Sequence, residues 1–389
     1  AHPNPRTSRN PKTHPNPKTH PNPMREYLLV MLMAAVTTYL LTGLCRLAAV
    51  HFGIQAQVRQ RDVHTRPTPY LGGLAMLAGV AMAFLLASMM PFLSSHEVVS
   101  RDSLGILGAA SVICLVGVID DVIDLPAVAK VAGQVLAAGI AVLNGVRMYW
   151  ISLPSQIIAL DQASSILITV VFIFICVNAI NLVDGLDGLA AGVVAIGASA
   201  MFVYTYLLAR EQNFVVATTA SLVTVTITGV CLGFLPHNFY RARIFMGDTG
   251  SMLLGLLLAC SSLSFTGQID SASLDPEGAG LLPSWLPLVL PFAIMALPLF
   301  DLVSSYIRRT WQGRWWFVAD KQHLHHQLLR RGHSMVDAVL VMYLWTAVIA
   351  YGVIVLALIR RPIAAVAVAA GLMVAIVATN RPSKRRSAS

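Results

Sequence analysis

The feature that most limits how this chain can fold is its succession of apolar stretches, each roughly the 17–25 residues that carry a helix across a bilayer. They lie at 27–52, 71–93, 103–119, 127–146, 165–183, 186–209, 214–235, 250–266, 284–307, 336–359 and 362–379. The pattern predicts an all-α integral membrane protein, a polytopic bundle of about 11 transmembrane helices. The number falls to about 10 if one of the close pairs, either side of Asp120 or of Asp184, is a single segment. Composition agrees: 56% of the 389 residues are hydrophobic and 12% are charged. A soluble domain carries about a quarter charged residues, so that class is excluded.

Charge sets the expected orientation. The odd-numbered loops, 53–70, 120–126, 184–185, 236–249 and 308–335, carry fifteen Lys and Arg together with the C-terminal tail. The even-numbered loops carry five: Arg101, Arg147, Arg210, Arg360 and Arg361. By the positive-inside rule the basic set belongs in the cytoplasm, with the N-terminus outside and the C-terminus inside. Loop 266–283, with Asp270, Asp275 and Glu277 and no basic residue, agrees; Arg360 and Arg361 run against it. The net charge of +9 then reads as topology and contact with anionic lipid, not nucleic-acid binding. Cys45, Cys114, Cys176, Cys231 and Cys260 all fall inside expected spans without a C-x-x-C pair, which makes them buried free thiols.

Three units follow. Residues 1–23 repeat H-P-N-P at His2, His14 and His20; so much Pro and Asn cannot bury a core, and a disordered tail is expected. The tail lacks the apolar centre of a signal peptide, and Met24, ahead of Arg25 and the first span, is a candidate start. Residues 24–380 form the membrane domain, and 381–389 a basic tail.

The chemistry-bearing residues concentrate on one side. Loop one reads RQRDVHTRPTPYLGG (59–73), loop three GVIDDVIDLPAVAKVAGQ (117–134) and loop five NAINLVDGLDGLA (178–190). Loop seven reads PHNFYRARIFMGDTGS (236–251), and loop nine ends ADKQHLHHQLLRRGHS (319–334). If the spans alternate as drawn, these five segments meet on the cytoplasmic face. The even-numbered loops offer nothing comparable.

Asp120, Asp121 and Asp124 put three acids within five residues at a helix end, ahead of Pro126. An interfacial stop signal would explain one of them. Three repel one another, a repulsion that a cation or a proton relieves. Asn178, Asn181 and Asp184 follow in steps of three, within about a third of a helix circumference. Gly185 and Gly188 then let the backbone turn and re-aim Asp187. Amides that donate and accept, beside carboxylates that only accept, suit a ligand with donors and a metal; interhelical glue accounts for Asn178 alone. In MGDTGS, Thr249 or Ser251 could cap the next helix, or its first amides could hold a phosphate. Arg241 and Arg243 add positive charge there, for phosphate or for topology. His323, His325 and His326 follow Asp320 and Lys321; zinc is one reading, but the surrounding oxygen donors suit magnesium with substrate phosphates better. Trp311, Trp315 and Trp316 fit an interfacial anchor. His64, Arg66, the PTP turn and Gly72-Gly73 add a cationic, backbone-exposing element in loop one. No G-x-x-x-x-G-K-[ST] loop is present, which disfavours a P-loop machine.

Taken in order and spacing, DDVID-LP with K-x-x-x-Q, NAINLVDGLDGLA, FMGDTGS and DKQHLHH resemble the polyprenyl-phosphate N-acetylhexosamine-1-phosphate transferases. The resemblance runs from about Met24 to the last span. D-K-x-H-L-H-H and H-T-R-P-T-P-x-L-G-G look like the branch that transfers GlcNAc-1-phosphate to undecaprenyl phosphate. The related phospho-N-acetylmuramoyl-pentapeptide transferases usually carry a different histidine loop.

The resemblance implies a Mg²⁺-dependent enzyme (Mn²⁺ the alternative) of the bacterial inner membrane, with its active site facing the cytoplasm. Its substrates would be UDP-GlcNAc and a polyprenyl phosphate, its products UMP and polyprenyl-diphospho-GlcNAc, and a homodimer is a candidate assembly. Asp120 and Asp121 match the catalytic acidic pair, Asp248 a metal ligand, and Asn178 the metal pocket. Asn181, Asp184, Asp187, Lys130 and Arg243 match the substrate pocket, and His323, His325 and His326 the loop on the donor diphosphate. His64, Asp124 and Asn238 are further candidates. A phosphate monoester is mostly dianionic at neutral pH, its second pKa lying near 6, so direct attack is expected and an aspartyl-phosphate intermediate is the alternative. The rival from another class is an ion-coupled transporter, which predicts mid-span acids and related halves. Here the acids lie at helix ends, and no internal repeat is visible. A non-catalytic membrane scaffold would leave the clustered Asp and Asn without a purpose.

Overall fold

Helices account for nearly all of the computed structural model, which describes residues 22–55, 68–152, 157–212, 215–266, 286–311, 324–359 and 362–381. The expected N-terminal tail lies outside the described residues apart from Asn22 and Pro23, and the basic C-terminal tail apart from Arg381. In chain order the helices are α1 (Pro23–His51), α2 (Gly72–Met89), α3 (Pro91–Ser94), α4 (Glu97–Ile123) and α5 (Ala127–Leu143). A short antiparallel hairpin, β1 (Trp150–Ser152) and β2 (Ile157–Ala159), pairs Trp150 with Ala159. There follow α6 (Gln162–Val183), α7 (Leu189–Gln212), α8 (Val215–Asn238), α9 (Gly247–Thr266), α10 (Leu286–Ile294), α11 (Ala296–Trp311), α12 (Leu324–Arg330), α13 (Met335–Leu358) and α14 (Pro362–Asn380).

All eleven expected segments are helical. Among the described residues, 9 helices are long and apolar enough to cross a membrane. The other two segments differ for local reasons. At 17 residues α5 is shorter than the rest, and 284–307 is broken between α10 and α11. Pro298 has no N–H to give the Ile294 carbonyl and its ring crowds that carbonyl, which disfavours a continuous helix here; the chain restarts with Leu299 N donating to Met295 O at 2.8 Å. The five cysteines are free, four of them buried.

At the centre lie α8 and α9, buried almost throughout, while α14 at the periphery is largely exposed. Around them α1 packs on α2 and α8, α7 on α8, and both α4 and α6 on α9. Without a hydrophobic drive between helices in lipid, such contacts depend on close backbone approach at small residues. Gly73 of α2 and Gly117 of α4 are two such places. A Cβ on Gly73 would overlap the Gly250 backbone, and one on Gly117 the backbone of Thr249. Both press on the first turn of α9.

Gly117→Leu is therefore expected to lower the thermal midpoint of the detergent-purified protein, overpacking of this kind costing about 1–3 kcal/mol. Gly139→Ala, where a new Cβ meets nothing within 4 Å, should leave the midpoint where it is. Equal melts for the two variants would show that α4 and α9 are not in backbone contact.

Candidate active site

Four helices end and four begin at the same end of the bundle: α1, α4, α6 and α8 arrive there, and α2, α5, α7 and α9 depart. The described parts of the odd-numbered loops are thus together, as the alternation of spans requires. At their centre stands Asp248, the second residue of α9. Its Oδ1 accepts from Asn181 Nδ2 at 2.8 Å, and its Oδ2 meets Lys130 Nζ. Lys130 also donates to Asp120 Oδ2 at 2.9 Å. The other Asp120 oxygen accepts from Leu125 N at 2.9 Å, closing a turn in which exposed Asp124 takes a left-handed φ of 56°. Pro126 then starts α5, its carbonyl accepting from Ala129 N at 2.9 Å and Lys130 N at 3.2 Å. That start sets the ammonium between the two carboxylates.

Asp121 points elsewhere. Its Oδ1 accepts from Asp248 N at 2.8 Å, and its Oδ2 accepts from Thr249 N at 3.2 Å and from the Thr249 hydroxyl at 2.7 Å. A residue of α4 thus caps α9, and the anion sits at the positive end of the helix. This corrects the expectation that Thr249 or Ser251 is the cap: Thr249 is the donor, and the Ser251 hydroxyl turns back onto Gly247 O at 3.1 Å. It also means that these first amides of α9 hold a protein carboxylate. Gly247, at φ 67°, lies against Asp121 where a Cβ would collide with the carboxylate.

The amide ladder of α6 divides. Asn181 reaches Asp248 and also Ser251 Oγ at 2.9 Å. Asn178, a turn earlier, gives its Nδ2 to Gln134 Oε1 at 2.9 Å and to Phe174 O at 2.8 Å. The structure thus joins Asn178 to α5 rather than to Asp248. Asp184 ends α6, partly buried, and no hydrogen bond to its carboxylate occurs among the described residues. Burial first, then the carboxylates of Asp248, Asp121 and Asp187, push its pKa up to about 8.

Asp187 and Asn238 are buried and hold loops together. Asp187 Oδ2 accepts from Ala242 N at 2.9 Å. Asn238 Oδ1 accepts from Gly188 N, and its Nδ2 donates to Ile244 O, each at 3.0 Å. The Tyr343 hydroxyl of α13 donates to Gly188 O, where Gly188 takes φ 73°. Loop one ends in a similar lock: Gly72 N and Gly73 N donate to Phe245 O and Met246 O at 3.1 Å each, and Phe245 N donates to Pro69 O at 2.9 Å. Arg243 is exposed on this face, its N donating to His237 O at 2.9 Å.

His64 and His323 lie outside the described residues. His325 and His326 belong to α12 by their backbone, and their side chains are outside the described set. The helix itself is placed. Leu324 and Leu328 pack in one apolar cluster with Val183, Leu186 and Leu189, so α12 lies beside the turn that holds Asp184 and Asp187.

Sequence reasoning missed Tyr343 as a support. A phenol inside an apolar span needs a hydrogen-bond partner, and that is the signal that could have found it.

Lys130 thus pairs with Asp120 and Asp248, and the carboxylates of Asp121 and Asp184 each lie close enough to feel that of Asp248. No three metal-ligating side chains converge among the described residues. A magnesium site does not require three, since Mg²⁺ keeps several waters and binds through one or two carboxylates plus substrate phosphates. An excess of acid over base, all oxygen donors, and a carboxylate without a donor partner fit such a cation.

Among the described residues, the acids and amides of the polar loops and Lys130 are gathered at a single end of a membrane bundle, an arrangement that suits an enzyme. Comparison with known proteins specifies which. Residues 103–266 match the family described as Glycosyl transferase family 4. The chain is similar to the decaprenyl-phosphate N-acetylglucosaminephosphotransferase of Mycolicibacterium smegmatis, 43% identical over 367 residues, 93% of this chain and 90% of the relative. It is similar also to a probable undecaprenyl-phosphate N-acetylglucosaminyl 1-phosphate transferase of Bacillus subtilis, 33% identical over 82% of each chain. A phospho-N-acetylmuramoyl-pentapeptide-transferase of Mycobacterium bovis is 32% identical over 64% of this chain and 78% of its own. The chain belongs to glycosyl transferase family 4, among the polyprenyl-phosphate N-acetylhexosamine-1-phosphate transferases and on their GlcNAc branch.

Asp184 makes stability depend on pH. Its carboxyl keeps a proton up to about 8 in the fold, against an ordinary 3.8, so between those values the native state binds more protons than the unfolded chain. Stability then falls as pH rises through that window. In metal-free buffer Asp184→Asn should flatten the fall: the two melting temperatures meet near the acid end and part by pH 8, with the variant higher. A wild-type profile no steeper than the variant's would remove Asp184 from the buried acidic cluster.

Proposed function

We propose that this protein transfers GlcNAc-1-phosphate from UDP-GlcNAc to a polyprenyl phosphate, releasing UMP and forming polyprenyl-diphospho-GlcNAc. The carriers named for its relatives, decaprenyl and undecaprenyl phosphate, are the proposed acceptors. The product would start a cell-wall glycan at the cytoplasmic face of a bacterial plasma membrane. Basic loops on the side of the site support that orientation. The observation that carries the reading is Lys130 held between Asp120 and Asp248 at the capped start of α9, in a chain alike over nearly its full length to an enzyme of that name.

The reaction asks for positioning and charge control more than for covalent help. An oxygen of the lipid phosphate attacks the phosphorus that bears the sugar. The new P–O bond forms in line as the bond to the bridging oxygen breaks, and UMP leaves with the electron pair. Lys130 supplies a fixed positive charge where negative oxygens crowd, and Arg241 and Arg243 add more at the mouth of the site. Asn181 keeps Asp248 in place. When bound, Mg²⁺ neutralises the donor diphosphate; Asp248 and Asp184 would hold it, with Asp120 within reach of the same cluster. His325 and His326 are proposed to meet the donor diphosphate from α12.

Two details support direct attack over an aspartyl-phosphate. Both oxygens of Asp121 accept hydrogen bonds from the start of α9, and both oxygens of Asp120 accept from Leu125 and Lys130. A carboxylate so engaged is a poor nucleophile. The acceptor, largely dianionic above its second pKa of about 6, needs little help from a base.

Purified protein should release UMP from UDP-GlcNAc only when polyprenyl phosphate and Mg²⁺ are both present. Turnover with UDP-MurNAc-pentapeptide and none with UDP-GlcNAc would move the chain to the muramoyl branch. Asp248→Asn should abolish turnover at ordinary Mg²⁺, and a near-normal rate would take Asp248 out of the metal shell. Label retained on the protein after incubation with β-phosphate-labelled donor alone would replace direct attack by the covalent route.

A further inference from the structure

Asp301 has no part in the chemistry above, yet it is 1% exposed, a carboxylate inside an apolar segment. On α11 the apolar Phe300, Val303, Tyr306 and Ile307 are exposed, and Pro298, Asp301 and Ser305 are buried. The helix packs on α6 and α13, with Leu297, Leu299 and Leu302 against the core beside the buried Asp301 and Ser305. An acid at such a place is costly unless donors meet it, and one of them is distant in sequence. Leu324 N, the first amide of α12, donates to Asp301 Oδ1 at 2.9 Å.

With seven residues α12 is too short to persist alone. Its C-terminal end is closed by Gly332 at φ 92°, with His333 N donating to Leu328 O at 3.2 Å and Gly332 N to Leu329 O at 3.0 Å. Its apolar side is held by Leu324 and Leu328 in the cluster around Leu186. Its N-terminal end is held by Asp301, from a charged acceptor to a backbone donor where water is scarce.

We propose that Asp301 is a positioning residue: by capping α12 across 23 residues of chain, it fixes the helix that carries His325 and His326 beside the Asp184–Asp187 turn. The kinetic part of this inference rests on the transfer proposed above; the structural part does not.

Amide exchange measured by mass spectrometry tests the cap without any substrate. Asp301→Ala should speed exchange across Leu324–Arg330 by roughly five- to thirtyfold, the factor that loss of a cap of this kind represents. Exchange in α13 and α6 should stay unchanged. Asp301→Asn keeps an oxygen acceptor and should restore slow exchange. In the transfer assay Asp301→Ala should raise the KM for UDP-GlcNAc and leave that for polyprenyl phosphate alone, and Asp301→Asn should reverse the change. In a His326→Ala background Asp301→Ala should add little further loss, since both would act through one element. Unchanged exchange in α12, or an equal rise in α13 and α6, overturns the capping role. Faster exchange in α12 with unaltered kinetics overturns the link to the reaction. A wild type inactive on UDP-GlcNAc refutes the proposed transfer and leaves the exchange result to decide the cap.

Discussion

A carboxylate at the end of one membrane helix closes the start of another, and the site is arranged around that bond. Asp121 accepts from Asp248 N, Thr249 N and the Thr249 hydroxyl, which fixes where α9 begins and how it is turned. Asp248 can meet Lys130 and Asn181 only because its own backbone is held by Asp121. The same bond requires α4 and α9 to touch, and Gly117 permits it; it requires the chain to enter α9 through a left-handed residue, and Gly247 supplies one. A buried carboxylate without such donors would be strongly destabilising. The sequence neighbours Asp120 and Asp121 therefore have different work: one faces the lysine, the other builds the helix that faces it.

The acids of the site sort by their partners. Asp187 and Asn238 bond to backbone groups of neighbouring loops, and with Tyr343 they tie the turn after α6 to α8 and α13. Asp120 and Asp248 share an ammonium, and Asp184 feels the carboxylates of Asp248, Asp121 and Asp187 with no hydrogen-bond donor to its own among the described residues. These bonded loops keep the acids from moving apart, so their mutual repulsion is retained unless a proton or a cation relieves it. The proposed magnesium and donor phosphates would offset that cost.

The fold was legible wherever a long apolar run left no alternative, and so was the gathering of the polar loops at one end, which follows from alternating spans. What could not be read was the assignment of roles inside each motif. Nothing in DDVID tells that the second Asp caps a helix 127 residues later. Nothing in the three-residue spacing of NAINLVD separates Asn178, bonded to Gln134, from Asn181, bonded to Asp248. Gly72 and Gly73 read as exposed backbone but pair with Phe245 and Met246, a contact between segments about 170 residues apart. The break before α11 was within reach, since Pro298 denies Ile294 its partner. Local patterns give the element; the partner of each polar atom depends on packing between distant helices.

A common device links these contacts. Besides Asp121, Glu26 of α1 accepts from Phe92 N and Leu93 N at 3.0 Å each, at the start of α3, and Asp301 serves α12 in the same way. Asp161, by contrast, caps its own α6 from the preceding position. Each helix start leaves four amides without partners inside the helix, and near a bilayer water cannot be relied on to satisfy them. An acid borrowed from another helix meets that need and also makes one helix's position depend on the other's. Two of the three borrowed caps stand at the end of the bundle where the site lies, under Asp248 and at the head of the histidine helix. The residues proposed to hold a metal and a diphosphate are thus set by carboxylates that need touch neither.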